Sequence, residues 1–369
     1  MKKYLLFTIG VCILFFSCGN ETKQGDLLQI PVDIDQNISL SISEIAENIT
    51  AIELELTDES PINPDRIRRV VLCKNNVIIV ESRKILVFSP DGKYVRTIGS
   101  IGQGPGEYTG IKSLAVDEKN ERLFLNASSK IICYDINGNF LKESSKIQRD
   151  AIIFDINYID DGLLVITEQV GIRDEKGLFN HSAVYRLNEE LQIVDSCTIR
   201  DNYFKRTAFF THSYEDFLLN GNPTAYLYYS DIYFDEQNPA EFVLRDTLYR
   251  FEDNRLYPEL KLKFKNNGID SGGKKFIGLF NIFRSSRYVF ALYYNMQNKN
   301  YYYFCYYTKT EKGYNIQDGF TDNINKIDKP IIIRPFNYDT EMFYYWHTHM
   351  KPDVLEEPNP TLYIGTLKK

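Results

Sequence analysis

Residues 85–125 read ILVFSPDGKYVRTIGSIGQGPGEYTGIKSLAVDEKNERLFL and set the pattern for the rest of the chain. Two apolar runs, 85–88 and 94–98, flank a turn with the dipeptide Asp91-Gly92, which tolerates the positive φ of tight hairpins. A glycine-rich crossing follows over 99–107, and two further alternating runs then meet at a polar turn. The stretch predicts the end of one antiparallel sheet, a connector, and the start of the next sheet.

The same unit recurs along the chain. An aromatic residue precedes the turn between the third and fourth strands at Phe88, Tyr134, Tyr185 and Tyr249, at spacings of 46, 51 and 64 residues. Such a period fits a four-stranded blade. We assign six blades to residues 66–99, 111–147, 151–199, 207–264, 276–316 and 331–367, with the strand 51–56 completing the last. The predicted fold is all-β: a six-bladed β-propeller of four-stranded antiparallel blades, whose ring is closed by N- and C-terminal strands.

One motif connects this pattern with a known family. The segment GSIGQGPGEY, residues 99–108, placed after a VFSPDG turn, resembles an NHL-type β-propeller repeat. With its leader and a closing NPTLYI strand at 359–364, the chain resembles the six-bladed β-propeller lipoproteins of Bacteroidota. The resemblance covers nearly the whole mature chain and is strongest over 62–147. Most proteins of that family are uncharacterised, so the resemblance implies a fold and a compartment rather than an activity.

The amino terminus indicates the compartment. A basic start at Lys2 and Lys3 precedes an apolar run over 4–16, which is shorter than the roughly 20 residues of a spanning helix. A small residue, Ser17, stands directly before Cys18. We predict a lipoprotein signal peptide over 1–17, acylation of Cys18, a polar tether over 18–38 and a single propeller domain over 39–369. The alternative is an ordinary secretory signal with an incidental cysteine. The expected location is the outer membrane, facing the periplasm or the surface, with the lipid anchor as the only membrane contact.

Composition restricts the partners. The formal net charge is −7, which argues against a nucleic-acid partner. No second long apolar run is present in the sequence. Four further cysteines lie in apolar, strand-like runs without metal-site spacing, so we expect small buried thiols. These cysteines are Cys73, Cys133, Cys197 and Cys305.

The most suggestive chemical cluster is the run Tyr345–Met350. Residues two apart in a strand point to the same side, so His347 and His349 could face one ligand beside Trp346. Two histidines do not make a metal site, and His181 and His212 belong to distant blades. We therefore predict no metal and no cofactor, and keep these three residues as candidate ligand-binding residues.

Three other features have both a functional and a structural interpretation. Arg66, with Arg68 and Arg69, could clamp carboxylates at the propeller mouth or could be solvated loop charge, and the same holds for arginines 284 and 287. The tyrosine-rich runs 226–229 and 301–307 could stack on sugars, but rings on both strand faces favour packing between blades. The glycine-rich loop lacks the Lys-Ser/Thr and the helix of a phosphate-binding loop, so we interpret it as a connector.

No nucleophile motif is present: the chain has no G-x-S-x-G and no Cys–His signature. The predicted function is therefore a lipid-anchored binding or scaffold module for a peptide, glycan or protein partner, and we expect a monomer. The alternative is a hydrolase or lyase at the channel mouth, using channel carboxylates or a metal on His347 and His349.

Overall fold

Six four-stranded antiparallel sheets follow one another around a ring in the computed structural model of the chain. The structure describes residues 27–144, 147, 151–159, 162–204, 217–222, 224–229, 246–273, 276–349 and 357–369. The predicted signal peptide and Cys18 lie outside these residues. No helix within the described ranges is long and apolar enough to span a bilayer.

The described elements are almost all strands. The first fifteen are β1 (Leu28–Val32), β2 (Ala46–Glu53), β3 (Ile67–Cys73), β4 (Asn76–Glu81), β5 (Ile85–Phe88), β6 (Tyr94–Thr97), β7 (Ser100–Ile101), β8 (Glu107–Tyr108), β9 (Ser113–Asp117), β10 (Arg122–Asn126), β11 (Ile131–Asp135), β12 (Phe140–Glu143), β13 (Ala151–Ile159), β14 (Gly162–Asp174) and β15 (Gly177–Leu187). The next are β16 (Ile193–Phe204), β17 (Phe217–Asn220), β18 (Ala225–Tyr229), β19 (Thr247–Glu252), β20 (Arg255–Phe264), β21 (Ile277–Arg284), β22 (Tyr288–Asn295), β23 (Asn300–Tyr307), β24 (Lys312–Gln317), β25 (Phe320–Asp322), β26 (Ile327–Ile331), β27 (Arg334–Pro335), β28 (Met342–His347) and β29 (Thr361–Leu367). One short helix, α1 (Ile42–Ile45), and 3-10 turns at Pro64–Arg66 and Lys265–Gly268 complete the set.

The strands group into the six predicted blades. Blades 1, 2 and 3 are β3–β6, β9–β12 and β13–β16; blades 4 and 5 contain β17–β20 and β21–β24. Blade 6 has the order β27, β28, β29, β2, so the N-terminal strand β2 is its outermost strand. The prediction of a ring closed by both ends of the chain is therefore confirmed.

The closing strand lies earlier in the chain than its alternating pattern predicted. It spans Ala46–Glu53 rather than 51–56. Its register runs from Ala46 opposite Leu367 to Glu53 opposite Thr361, so the length of β29 decides where pairing ends. Beyond Glu53 the chain turns to blade 1, where the Glu55 N–H donates to the Gly92 carbonyl at 2.9 Å.

Residues 28–45 form a belt along the outer strands of blades 4 and 5. β1 pairs in parallel with β20, and the alternation LQIPV buries Ile30 and Val32 while Gln29 and Pro31 stay exposed. Isolated bridges then join Ile38 to Ile316 and Ser41 to Thr321. The folded part thus begins before residue 39, and the second half of the predicted tether belongs to the ring.

The glycine-rich segment 99–107 connects blades 1 and 2, as expected. β7 and β8 pair in parallel around it, and its amide groups are used internally. Gly104 N–H donates to the Glu107 carboxylate at 2.8 Å, and Gly106 N–H donates to Glu143 at 3.2 Å. The carboxylates of Glu107 and Glu143 accept these two N–H groups, so the two groups do not form a phosphate-binding site.

Apolar and aromatic faces pack between the blades. Tyr302, Tyr303 and Phe304 of the tyrosine-rich run are buried, and the run 226–229 is buried as well. The packing interpretation therefore holds for 226–229 and for 302–306, whereas Tyr301 at the start of the second run is 49% exposed. Three of the four cysteines are buried free thiols and Cys197 is half-buried. Burial raises the pKa of Cys73 to about 11, so this thiol stays protonated and unreactive at neutral pH.

A glycine in the first hairpin gives a test of blade packing. Gly92 has φ +85°, and a Cβ there would lie 2.1 Å from the Glu53 carbonyl oxygen. We expect Gly92→Ala to lower the free energy of unfolding by about 2–3 kcal/mol, because strain at positive φ adds to displacement of the closing strand. Gly171→Ala is the matched control: φ is +73° but nothing lies within 4 Å, so only about 1 kcal/mol should be lost. Equal losses in urea unfolding would contradict this packing.

Candidate functional site

The two faces of the ring differ in the length of their loops. In all six blades a turn joins the first and second strands, and in blades 1 to 5 another turn joins the third and fourth. These turns lie on one side of the ring and have two to six residues. We call this side the hairpin face. The connectors between blades reach the opposite side, the open face, and four of them have 12 to 16 residues: 54–66, 98–112, 265–276 and 318–333. The open face thus carries the longer loops, which commonly hold binding residues.

An axial cavity of about 130 Å³ lies between the inner strands of all six blades. Side chains from different blades converge there because each inner strand turns the same edge toward the axis. The cationic residues in its lining are Arg68, Arg69, Lys112 and Arg334; the polar and acidic ones are Ser113, Asp155, Asn220, Asn281 and Tyr338. Phe154, Phe283 and Pro335 contribute apolar walls.

Arg69 ties three blades together inside this cavity. Its Nη2 lies 3.1 Å from Asp155 Oδ2 and 3.3 Å from Oδ1, and its Nη1 donates to the Leu114 carbonyl at 3.1 Å. The Asp155 side chain is 3% exposed. Burial, the largest single effect, would lower the pKa of Arg69, but the Asp155 carboxylate together with Tyr344 and Tyr338 raises that pKa above its ordinary value. Arg69 therefore remains cationic, and its contacts with Leu114 and Asp155 fix the relative positions of blades 1, 2 and 3.

Tyr338 forms the floor of the cavity toward the hairpin face. It stands in the turn between β27 and β28, is buried, and donates its hydroxyl to the Ile282 carbonyl at 3.3 Å. Its ring lies 6.3 Å from that of Phe283. The next residue, Asp339, accepts a hydrogen bond from Asn222 N–H in blade 4. At the other end, Arg68 is exposed near the start of β3, so the mouth of the cavity opens on the open face.

An aromatic pair packs beside the guanidinium of Arg334. Its guanidinium carbon lies 4.4 Å from the centre of the Trp346 ring, a cation–π contact. Trp346 in turn stacks on Tyr344, whose hydroxyl accepts from the Val70 N–H at 3.3 Å. The structure thus places the candidate Trp346 beside an axial cation, where it positions Arg334.

The candidate histidines form a close pair outside the cavity lining. The rings of His347 and His349 are 4.7 Å apart, and His349 Nε2 lies 2.7 Å from the Tyr363 hydroxyl. Burial and the neighbouring His349 lower the pKa of His347, which stays neutral at pH 7. Among the described residues no three His, Cys, Asp or Glu side chains gather as metal ligands would. His181 contacts Asp201 in blade 3, and His212 lies outside the described residues.

The three neighbouring arginines have different locations. Arg66 is exposed in a shallow depression with Glu81 and Lys84, whereas Arg68 and Arg69 reach the axial cavity. Lys112, Asp155 and Arg334 were not among the candidates from sequence, because no local motif marks them. Each is an ordinary charge in or beside an inner strand, and only ring closure brings them together.

Among the described lining residues, few side chains are of the kind that acid–base catalysis uses. Asp155 is the acid in its described lining, and it is engaged with Arg69. An acid–base hydrolase uses two carboxylates whose pKa values differ, and these lining residues do not provide such a pair.

Six four-stranded blades around a polar axial cavity define the chain as a six-bladed β-propeller. It belongs to the family described as "Domain of unknown function (DUF4934)", whose model matches residues 27–363.

The chain is similar to several solved structures. A Bacteroides fragilis NCTC 9343 protein described as a "Putative exported protein" is similar with a TM-score of 0.59 and 15% identity, over 93% of this chain and 100% of that one. The Pan2 WD40 domain of Neurospora crassa has a TM-score of 0.44 and 11% identity, over 82% and 76% of the two chains. A protein of unknown function from Bacteroides caccae has a TM-score of 0.40 and 11% identity, over 78% and 89%. No curated protein matches the sequence.

Proposed function

We propose that this protein is a lipid-anchored binding module of the cell envelope, which holds a partner over its open face. The observation that carries the proposal is the axial cavity, where charged side chains from several blades meet below the long connectors of the open face. The similarity to an exported Bacteroides protein supports an envelope location. The partner classes remain a peptide, a glycan or a protein.

The belt indicates which face of the ring points to the membrane. β20 leaves the turn 253–254 on the hairpin face and runs toward the open face. β1 is parallel to it, with Leu28 opposite Leu260 and Val32 opposite Phe264, so the chain enters the ring from the hairpin-face end. Cys18 precedes Leu28 by ten residues, a span of at most about 35 Å when extended. An anchor at Cys18 would therefore hold the hairpin face toward the lipid and the open face away from it.

Photo-crosslinking in the intact envelope tests the proposal. A photoreactive amino acid is placed at Arg83, exposed on the open face, or at Lys119, exposed on the hairpin face. We expect adducts with a partner from position 83 and none from position 119. Cys18→Ala is expected to move the protein from the membrane to the soluble fraction, because each buried acyl methylene contributes about 0.8 kcal/mol to anchoring.

Two outcomes would count against the proposal. Adducts from position 119 alone, or from neither position, would argue against an open-face partner. If Cys18→Ala stayed in the membrane fraction, Cys18 would not be the anchor. The argument that the hairpin face points toward the lipid would then no longer hold. Purified variants should first show unfolding transitions like that of the parent, since both positions are exposed.

A further inference from the structure

We propose that an aromatic strip on blade 5, formed by Phe280, Tyr294 and Tyr301, binds a neutral oligosaccharide. This inference deepens the binding function proposed above and rests on it, because it names the glycan among the three partner classes. The rings belong to three successive strands, β21, β22 and β23. Tyr294 lies opposite Tyr301 in the register, and the two ring centres are 4.8 Å apart. The centre of the Phe280 ring lies 5.8 Å from that of Tyr301.

The strip lies toward the open-face end of blade 5. The turn 296–299 joins the second and third strands of this blade, so it lies on the side opposite the hairpin face. Tyr294 and Tyr301 form the second residue pair from that turn, after Asn295 and Asn300. A ligand on the strip is therefore held at the same face over which we propose that the partner binds.

Tyr301 is exposed although the residues that follow it in β23 are buried. It is 49% exposed, more than any other aromatic residue among those the structure describes, whereas Tyr302 and Tyr303 are buried. Tyr302 stacks on Tyr293, and the Tyr303 hydroxyl donates to the Ile333 carbonyl at 2.8 Å. The ring contacts of Tyr301 are with the other two members of the strip. Packing between blades thus accounts for the buried tyrosines but not for Tyr301.

The surface of the strip suits the face of a sugar ring. An aromatic ring offers a flat apolar face, and the tyrosine hydroxyl adds a polar group at its edge. A pyranose has matching features, because its C–H groups form an apolar face and its hydroxyl groups lie around the rim. The three side chains carry no formal charge, so the ligand needs no counter-charge. Neighbouring strands are about 4.8 Å apart, so rings on three strands span about 10 Å and contact more than one sugar ring.

A peptide strand would find no free backbone edge beside the two tyrosines of the strip. Both β22 and β23 are paired on each side in the blade order β21, β22, β23, β24. At the start of β23 the Tyr301 carbonyl accepts the Asp318 N–H at 3.2 Å. The outer strand β24 is joined to the belt, where the Ile38 N–H donates to the Asn315 carbonyl at 3.0 Å. Because a peptide that adds to a sheet needs a free edge, the strip favours a ligand that binds through its own faces.

Hydrogen bonds order the turn beside the strip before any ligand arrives. The Asn298 side chain donates to the Tyr302 hydroxyl at 2.7 Å and accepts the Asn300 N–H at 3.2 Å. The Gln297 N–H donates to the Asn295 side chain at 3.0 Å. Since sheet pairing also holds the three strands, a ligand loses little affinity to the ordering of this surface.

Calorimetry with soluble oligosaccharides tests the assignment. The probes are cellohexaose, laminarihexaose, mannohexaose and chitohexaose, titrated into the full-length protein, with glucose as the single-ring reference. We expect at least one hexasaccharide to bind and glucose to bind more weakly, because glucose contacts only part of the strip. Tyr301→Ala should weaken the binding about tenfold, whereas Tyr301→Phe, which keeps the ring, should retain most of it.

Phe140→Ala is the matched control, because it removes another exposed aromatic ring, 41% exposed, from the outer strand of blade 2. Its affinity should equal that of the parent. The proposal is overturned if no hexasaccharide binds, if Tyr301→Ala binds like the parent, or if Phe140→Ala weakens binding equally. Should Tyr301→Ala fail to fold, Tyr301→Gln replaces it as a larger side chain without a ring.

Crosslinking separates this inference from the binding function on which it rests. Adducts from position 83 that form equally in the parent and in Tyr301→Ala, while no hexasaccharide binds, would refute the glycan and leave the binding module intact.

Discussion

A chain that lacks residues 360–369 is expected to lose its cooperative unfolding transition. The deletion removes β29, which lies between β28 and β2 in blade 6 and joins the two ends of the ring. Leu362, Tyr363 and Leu367 are buried, and full burial of such side chains contributes roughly 5–9 kcal/mol in total. Net stabilities of domains are only about 5–15 kcal/mol. The loss of the β29 ladders adds to this deficit.

Calorimetry or circular dichroism during heating measures the effect. Removal of Lys369 alone is the control, because this residue is exposed and lies beyond the strand. The control should melt like the parent, while the longer deletion should show no sharp transition or should aggregate through its unpaired edges. A truncated protein with the parent's melting temperature would show that the ring does not depend on its terminal strand.

Arg69→Ala is expected to destabilise the protein by about 3–5 kcal/mol, the range for removing one partner of a buried ion pair. Asp155, with a side chain only 3% exposed, would lose the guanidinium that contacts both of its oxygens. Replacing both residues in Arg69→Met/Asp155→Leu should recover most of this loss, because no charge then remains desolvated.

Urea unfolding of Arg69→Met, Asp155→Leu and the double variant gives the coupling energy between the two residues. Arg255→Ala provides the surface reference and should change stability by no more than about 0.5 kcal/mol. A double variant as unstable as Arg69→Ala would mean that Arg69 stabilises the ring through its Leu114 hydrogen bond and its packing rather than through charge. If Arg69→Ala were nearly as stable as the parent, the claim that Arg69 holds blades 1, 2 and 3 together would be refuted.

The blades could be predicted from sequence because their signals are local. Period-two alternation, the Asp91-Gly92 turn and recurrent aromatics each act within a few residues, and the ring closure follows from the need to cover free strand edges. The parallel strand β1 could not be predicted in the same way. Its partner β20 lies more than two hundred residues away, and the short sequence LQIPV resembles a tether as much as a strand.

The candidate site was only partly predictable for a related reason. The sequence pointed to the arginine cluster before blade 1. Which of its arginines line the axial cavity depends on where β3 begins and on the register of β3. A shift of one residue in a strand turns each side chain to the other face. Lys112, Asp155 and Arg334 come from three further positions along the chain, and only the ring brings them together with Arg68 and Arg69.

The most direct measurement of the central claim is photo-crosslinking in the intact envelope from Arg83 on the open face and from Lys119 on the hairpin face. We predict adducts with a partner from position 83 and none from position 119. Adducts from position 119 alone, or from neither position, would contradict the claim that the open face binds a partner.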